Sequence, residues 1–290
     1  MRRLKIAHTT TYEYSNPVEF HPHKLLVRPR EGHDVLIESS RLEIAPGYRI
    51  KWHRDVYNNS VAVVKFVEPA DRLSIFSEVC IQHYEDAPLD FVVDEHAVHF
   101  PFHYDATEGV DLIPYQMSVF PKDSKRLRDW VMQFWQPGQR VETYVLLDHI
   151  NKTIPKSIIY TIREEPGVQS PAETLTKQSG SCRDLATLFI EACREIGLAA
   201  RFVSGYTHDW ATEKTGHGST HAWSEVYLPG DGWKGFDSTS GEIVGNSHIA
   251  VAVSRHPESI PPVSGAFIGK IERPPLMTVK VQVSEIPAIA

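Results

Sequence analysis

The stretch QSGSCRDLATLFIEACREIG, residues 178–197, decides the fold of the second half of this chain. Apolar residues recur in it at helical spacing, Ser181 is a good N-cap, and Gly197 is a typical helix stop. Cys182 therefore falls at the first position of a predicted helix with one packed face. A thiol attacks carbon as its thiolate, which a helix N-terminus stabilises. Cys182 is the candidate nucleophile.

The segments that follow this helix predict a sheet for it to pack on. Residues 198–206, 220–228 and 233–238 are rich in β-branched and aromatic residues, and PGDG at 229–232 joins the last two as a hairpin. The length of the loop decides which side chains share a face. A two-residue loop would place His221 and Asp237 on opposite faces, because side chains alternate along a strand.

We predict instead an odd loop or a bulge in this hairpin. That register pairs Tyr227 with Trp233, a favourable aromatic pair, and it pairs Trp223 with Asp237. His221 then lies diagonal to Asp237, at about 7–8 Å between backbones and within reach of its side chain.

The ordered set of Cys182, His221 and Asp237 is that of a nucleophilic triad. In this arrangement His221 takes the thiol proton and later gives it to a leaving amine, while Asp237 orients the ring. The backbone amide of Cys182 is available to an oxyanion at the helix start. A second oxyanion donor is needed, and the sequence identifies none.

Composition restricts the class of protein and its partners. The chain has 290 residues, of which 41% are hydrophobic and 23% charged, and a formal net charge of -7; nucleic acid is therefore not an expected partner. No apolar run approaches the ~18 residues of a membrane span, and the basic start lacks the apolar segment of a signal peptide. Three cysteines do not make a disulfide framework. We expect a cytoplasmic protein without membrane association, and the oligomeric state stays open.

Two hydrophobic patterns divide the chain. Period-two alternation up to about Tyr84 predicts an N-terminal antiparallel β-sandwich-like domain, bounded at residues 1–105. Helical periodicity and then the strands above predict a second domain at residues 106–290, and hence an α+β fold. Alternation at residues 277–284 adds C-terminal strands, which could complete either sheet.

Four ordered segments resemble the transglutaminase-like superfamily, and specifically its bacterial branch with a β-rich N-terminal domain. They are GSCRDLA at 180–186, ARFVSGY at 200–206, HAWSEVYLP at 221–229 and GWKGFDST at 232–239. The resemblance implies a papain-like core, in which a cysteine-bearing helix packs on an antiparallel sheet, and a triad of Cys182, His221 and Asp237. The chain has Ser238 where the family usually has Pro and Ser240 where Asn is common, which changes the loop beside the triad.

The family includes cysteine peptidases, amidases and cross-linking enzymes. The resemblance therefore implies acyl transfer from a peptide or protein amide through a thioester. We expect hydrolysis, because water is always present whereas an amine acceptor needs a site that the sequence does not show. The alternatives are transglutaminase-type cross-linking or amine incorporation at glutamine, and a non-catalytic binding scaffold.

No cofactor or metal is expected. The chain has no EF-hand-like acidic loop for calcium, and two histidine sets have only weak spacing for zinc: His96, His99 and His103, and His208, His217 and His221. Trp223 and Tyr206 are the candidate substrate-binding residues, and Trp210 is a further aromatic residue that could wall an acyl channel. Packing in the core is the competing explanation for these rings.

Overall fold

A computed structural model of the chain describes residues 1–84, 89–90, 92–163, 165–208 and 218–287. The strands of the first third are β1 (Arg2–Phe20), β2 (His23–Leu25), β3 (Val35–Ala45), β4 (Tyr48–Arg54), β5 (Ser60–Phe66), β6 (Ala70–His83) and β7 (His99–Phe100). The middle contains α1 (Ala106–Gln116), α2 (Ser124–Val131), β8 (Val141–Glu142), α3 (Thr143–Ser157), β9 (Ile159–Tyr160), α4 (Pro171–Lys177), β10 (Ser179–Gly180) and α5 (Cys182–Glu195). The last elements are β11 (Ala200–His208), β12 (Gly218–Leu228), β13 (Gly232–Asp237), β14 (Glu242–Ile243), β15 (His248–Ser254), β16 (Val263–Ser264), β17 (Phe267–Ile268) and β18 (Leu276–Glu285). None of the helices in the described ranges has the length and apolar character needed to cross a membrane.

The N-terminal strands form two sheets that share one core, as their alternation predicts. One sheet contains β1, β3, β6, β17 and β18, and the other has the order β16-β2-β5-β4. The pairings within both sheets are antiparallel. Phe20 and Leu73 from the first sheet pack with Leu25 and Val64 from the second. The β-sandwich-like N-terminal architecture is confirmed.

Strands β1 and β6 also contribute to a second core. Leu4 and Ile6 of β1 and Ile81 of β6 belong to the large cluster that contains the buried residues of α5. His8 of β1 is buried, and its Nδ1 lies 2.8 Å from the hydroxyl oxygen of Tyr206 in β11. The N-terminal sheet therefore supports the strands that carry the candidate site.

Helix α5 packs on the antiparallel sheet β14-β13-β12-β11-β15. Its periodic apolar residues are fully buried, and the ring of Phe189 lies 5.3 Å, between centroids, from that of Phe236 in β13. The hydroxyl of Ser224 in β12 donates to the carbonyl of Ala186 at 3.0 Å, which holds the helix against the strand. This is the predicted cysteine-bearing helix on an antiparallel sheet, and the α+β class is confirmed.

The C-terminal strands complete the N-terminal sheets. Strand β18 pairs with residues 4–13 of β1, β17 pairs with the end of β1, and β16 pairs with β2. Alternation identifies a strand but not its partner, which is why the sequence left the sheet of these strands open, and the bounds 106–290 stay a prediction. The first boundary stays a prediction, and α1 begins directly after it, at Ala106.

Candidate active site

The start of α5 holds Cys182 in a defined turn. Ser181 is the N-cap in extended conformation, and it forms a capping box with Asp184. The carboxylate of Asp184 accepts hydrogen bonds from the amide and the hydroxyl of Ser181, both at 2.8 Å. A Cβ at Gly180 would come within 2.9 Å of the Asp184 side chain, so this position requires glycine. The partly buried Cys182 side chain is thus fixed by the turn that begins its own helix.

The charge of Asp184 ties a neighbouring loop to this turn. Arg163 lies 2.8 Å from the carboxylate, and the amide of Gln169 donates to it at 2.8 Å. Burial alone would raise the pKa of Asp184, but the hydrogen bonds from Gln169, Ser181 and Arg163 hold it below its usual range. A carboxylate at this position also complements the helix dipole.

The hairpin of β12 and β13 has the odd register. Its loop is Pro229–Asp231, three residues between the paired Leu228 and Gly232, and Tyr227 pairs with Trp233. This register places His221 and Asp237 on one face, with His221 Nε2 at 2.9 Å from Asp237 Oδ2. The predicted register is confirmed, and with it the contact between imidazole and carboxylate.

His221 lies between the thiol and the carboxylate. Its Nε2 lies 2.9 Å from Oδ2 of Asp237, and its interaction with the Cys182 side chain contributes to the raised pKa of the ring. Because an ionised carboxylate only accepts, Nε2 must carry a proton. The remaining nitrogen, Nδ1, is therefore the one that can take the proton of the thiol. The structure brings together all three residues that the sequence singled out.

Hydrogen bonds and charges favour the protonated ring of His221. Burial works against this charged form, but the hydrogen bonds to Asp237 and Cys182, together with their charges, raise the pKa of His221 to about 10. Burial would likewise raise the pKa of Asp237, yet hydrogen bonds from His221 and His248 hold it well below its usual range. The site therefore favours an imidazolium next to a carboxylate.

His248 is a residue of this cluster that the sequence did not single out. Its Nε2 lies 3.2 Å from Asp237 Oδ2, the same oxygen that His221 contacts. The other carboxylate oxygen accepts from the amide of Thr239 at 2.9 Å. His248 lies 27 positions from His221 on a different strand, and no motif or spacing in the sequence points to it.

Tyr160 is a second neighbour that sequence reasoning missed. It pairs with Gly180 in the short parallel bridge of β9 and β10, two residues before Cys182. Burial first, then the charges of Cys182 and Asp237, raise the pKa of Tyr160. Tyr160 is still 49% exposed, so the residue reaches solvent while the charge of Cys182 acts on its pKa. The amide of Cys182 has no acceptor within the described part of the chain.

The two predicted substrate-binding rings lie in the core. Trp223 and Tyr206 are 1% and 2% exposed, so the structure does not support a substrate-binding surface at either residue. The Trp223 ring packs over Gly205, where a Cβ would come within 2.5 Å of it, and it meets the ring of His248 edge-on at 5.2 Å. Trp223 therefore packs beneath the imidazoles. Trp210 lies outside the described residues.

The two histidine sets considered for zinc are not assembled within the residues that the structure describes. Their member His217 lies outside those residues. The group of close potential ligand atoms found there is His221, Asp237 and His248, within 4.8 Å of one another. Hydrogen bonds between the imidazoles and the carboxylate account for this proximity.

Comparisons with known proteins agree with this architecture. Residues 4–82 match the bacterial transglutaminase-like N-terminal region, and residues 138–238 match the transglutaminase-like superfamily. An uncharacterized protein of Mycobacterium leprae is 22% identical over 93% of this chain and 95% of its own length. One of Mycobacterium bovis is 26% identical over 98% and 93%, respectively.

A solved structure shares the whole fold. It is that of a candidate cysteine protease from Cytophaga hutchinsonii, which superposes with a TM-score of 0.73 at 19% sequence identity and covers 100% of this chain and 92% of that one. At this identity the likeness concerns the fold. The chain thus carries a bacterial transglutaminase-like N-terminal region at residues 4–82 and a transglutaminase-like superfamily core at residues 138–238, and it shares its fold with the solved structure.

Proposed function

We propose that this protein transfers acyl groups from peptide or protein amides to water, through a thioester on Cys182. The observation that carries this proposal is the position of His221, whose Nε2 lies 2.9 Å from the carboxylate of Asp237 and whose pKa is raised in part by its interaction with the Cys182 side chain. The transglutaminase-like superfamily core supports thiol-based catalysis in general. The choice of water as the acyl acceptor, and hence hydrolysis, goes beyond thiol-based catalysis and is our own proposal.

The reaction follows from the positions of the protons. His221 Nδ1 takes the proton of Cys182, and the thiolate attacks the amide carbonyl to form a tetrahedral oxyanion. The imidazolium then gives that proton to the leaving nitrogen, the carbon–nitrogen bond breaks, and an amine departs from the thioester. Neutral His221 next removes a proton from water, whose oxygen attacks the thioester. Collapse releases a carboxylic acid and returns the proton to the Cys182 sulfur.

The oxyanion needs two donors, and Cys182 and Tyr160 supply them in this proposal. The amide of Cys182 is at the start of a helix, where the dipole also favours negative charge. The hydroxyl of Tyr160 is the second donor in this proposal, because Tyr160 pairs with Gly180, two residues before Cys182, and the charge of Cys182 acts on the pKa of Tyr160. With this assignment, the proposed site has the second oxyanion donor that the sequence did not identify.

Water is the acceptor that we favour, because it needs no binding site of its own. Transamidation would require a second cleft that holds an amine against the thioester. We also place the protein in a reducing compartment such as the cytoplasm, because an active thiol must remain unoxidised, and all three cysteines are free thiols.

Two peptide substrates test the acceptor. A glutamine-containing peptide and a generic peptide are each incubated with the protein, with and without a labelled primary amine. Cleavage or deamidation without incorporation of the amine supports hydrolysis. Ammonia release with amine incorporation would replace hydrolysis by transamidation. No thioester or product with either peptide, in a protein whose Cys182 reacts with iodoacetamide no faster than an ordinary thiol, would contradict the proposal.

A further inference from the structure

One carboxylate oxygen in this site serves two imidazoles. Oδ2 of Asp237 lies 2.9 Å from Nε2 of His221 and 3.2 Å from Nε2 of His248. Since the carboxylate only accepts, both nitrogens carry protons and both rings donate to it. Each of the two hydrogen bonds therefore weakens the other, because both rings donate to the same oxygen.

His248 is built into the sheet as a fixed donor. It is 7% exposed, and the Trp223 ring meets it edge-on. Its Nδ1 lies 3.1 Å from the hydroxyl of Ser247, and its carbonyl lies 3.2 Å from His83 Nε2. Among the described residues, the polar or titratable groups that interact with the two imidazoles or Asp237 include Cys182, Tyr160, Thr239, Ser247 and His83.

Loss of the His248 donor leaves Asp237 in place. His221 and the amide of Thr239 still hold one oxygen each. What changes is the charge on Oδ2, because each hydrogen bond that a carboxylate accepts reduces its attraction for a further proton. His248 thus acts on His221 electrostatically, through an oxygen that does not move.

We propose that His248 is a positioning residue that limits how strongly Asp237 stabilises the protonated His221, and so keeps that ring able to release its proton to the leaving amine. This inference rests on the proposed function, because it concerns the proton that His221 transfers. A general acid works best when its pKa lies near the pH at which the enzyme operates, because an acid with a much higher pKa gives up its proton too slowly. Asp237 alone would hold the imidazolium proton too firmly.

Three variants test this role in the full-length protein. His248→Phe and His248→Leu remove the donor and keep apolar volume against Trp223, while His248→Gln is the matched control, whose amide nitrogen reaches about as far as Nε2. The pH dependence of iodoacetamide alkylation of Cys182 is measured for each. Its lower limb reports formation of the thiolate–imidazolium pair, and its upper limb reports loss of the imidazolium proton.

We expect both donor-less variants to widen the pH range of the ion pair. The upper limb moves up by about one pH unit, the equivalent of part of a hydrogen bond to a charged acceptor. The lower limb stays in place, because the thiol loses its proton beside the same imidazolium in every variant. His248→Gln restores the wild-type profile. A purely structural role for His248 predicts the opposite, a narrower range, because a displaced carboxylate stabilises the imidazolium less.

The leaving group provides a second readout. In the donor-less variants, kcat/KM for an amide substrate falls about tenfold, because the protonated His221 is a weaker acid. Hydrolysis of a p-nitrophenyl ester, whose leaving group needs no proton, stays within about twofold of wild type on the same argument. Equal losses on both substrates would overturn the inference.

The two proposals fail in different ways. A wild-type protein whose Cys182 shows one limb near the ordinary thiol value has no ion pair, and the proposed function itself is then wrong. A wild-type protein with two limbs, and donor-less variants whose upper limb stays or moves down, would overturn the role of His248 and leave the proposed function intact.

Discussion

The two ends of helix α5 carry two cysteines in opposite surroundings. Cys182 opens the helix, is partly exposed and meets the imidazole of His221. Cys193 lies three turns later and is fully buried in the core, and this burial raises the pKa of its thiol far above the usual range. The same residue type on one helix is thus placed for reaction at one end and for packing at the other.

The two ends also differ in what their buried carboxylates do. Asp184 holds the turn that presents the thiol. Glu191 pairs with Arg194 at 2.6 Å, with both side chains buried, and it accepts from the amide of Val119 and the hydroxyl of Ser118. Arg194 in turn donates to the carbonyls of Tyr115 and Ala200. That end ties α1, the loop after it and β11 to the helix.

Replacing each of the two cysteines by alanine should give the largest difference in activity between the two ends of the helix. Cys182→Ala should reduce amide hydrolysis by roughly 10⁴-fold or more, because the nucleophile is gone. Cys193→Ala is the matched control, and it should keep the activity while losing about 1–2 kcal/mol of unfolding free energy to a small cavity. Activity assays and urea denaturation measure both. Full activity in Cys182→Ala would remove the proposed nucleophile.

Removing the imidazole of His221 should make Cys182 as unreactive as a cysteine without a catalytic partner. His221→Ala is expected to lower kcat/KM by about 10³–10⁴-fold. It should also move iodoacetamide labelling of Cys182 toward the behaviour of an ordinary thiol, which reacts mainly above about pH 8. Alkylation rates from pH 4 to 10 measure this. Identical profiles in wild type and His221→Ala would exclude an activated pair.

Neutralising the carboxylates separates reactivity from stability. Glu191→Gln leaves the buried Arg194 without its anion and should cost about 3 kcal/mol of unfolding free energy. Asp184→Asn should cost less, because Arg163 is partly exposed and keeps its contact with Glu165. Because only Asp184 holds the Ser181–Cys182 turn, only Asp184→Asn should slow alkylation of Cys182. Denaturation and alkylation rates are compared at 20 °C or below, where both variants stay folded. Equal alkylation rates would show that the turn does not depend on this charge.

Tyr160→Phe tests the proposed second oxyanion donor. We expect kcat to fall about tenfold with KM unchanged, less than for a fully enclosed donor because Tyr160 is half exposed. Alkylation of Cys182 should be unaffected, because this reaction forms no oxyanion. Steady-state kinetics on an amide substrate measures the effect. An unchanged kcat would show that Tyr160 is not the second oxyanion donor.

The last expected effect is on stability and not on activity, as a dependence of the unfolding free energy on pH. The pKa of His221 is raised in the fold from 6.5 to about 10, so its protonation stabilises the folded state. That contribution is fully present below pH 6.5 and is lost as the pH rises toward 10. The unfolding free energy of wild type should therefore exceed that of His221→Gln by on the order of 2 kcal/mol near pH 6, and the difference should vanish near pH 10. A difference that does not change with pH would contradict the raised pKa.

Local sequence predicted most of the second half and of the triad. The N-cap at Ser181, the stop at Gly197 and the odd register of the hairpin are short-range properties, decided by residues close to one another in the chain. Helix α1 was missed, because it contains Gly109 and Pro114 and begins only where Asp105 accepts from the amides of Thr107 and Glu108. A cap can start a helix whose composition does not predict one.

By itself the sequence determined which helix end bears the thiol, which hairpin register brings imidazole to carboxylate, and that a β-rich domain precedes them. Only the tertiary structure decided that β18 joins β1, that Trp223 packs beneath the rings, and that His248 and Tyr160 border the site. The physical reason is that a residue's conformational preference is carried by its neighbours in the chain. The partner of an edge strand, or the second donor to a buried carboxylate, is instead selected by packing between segments far apart in sequence.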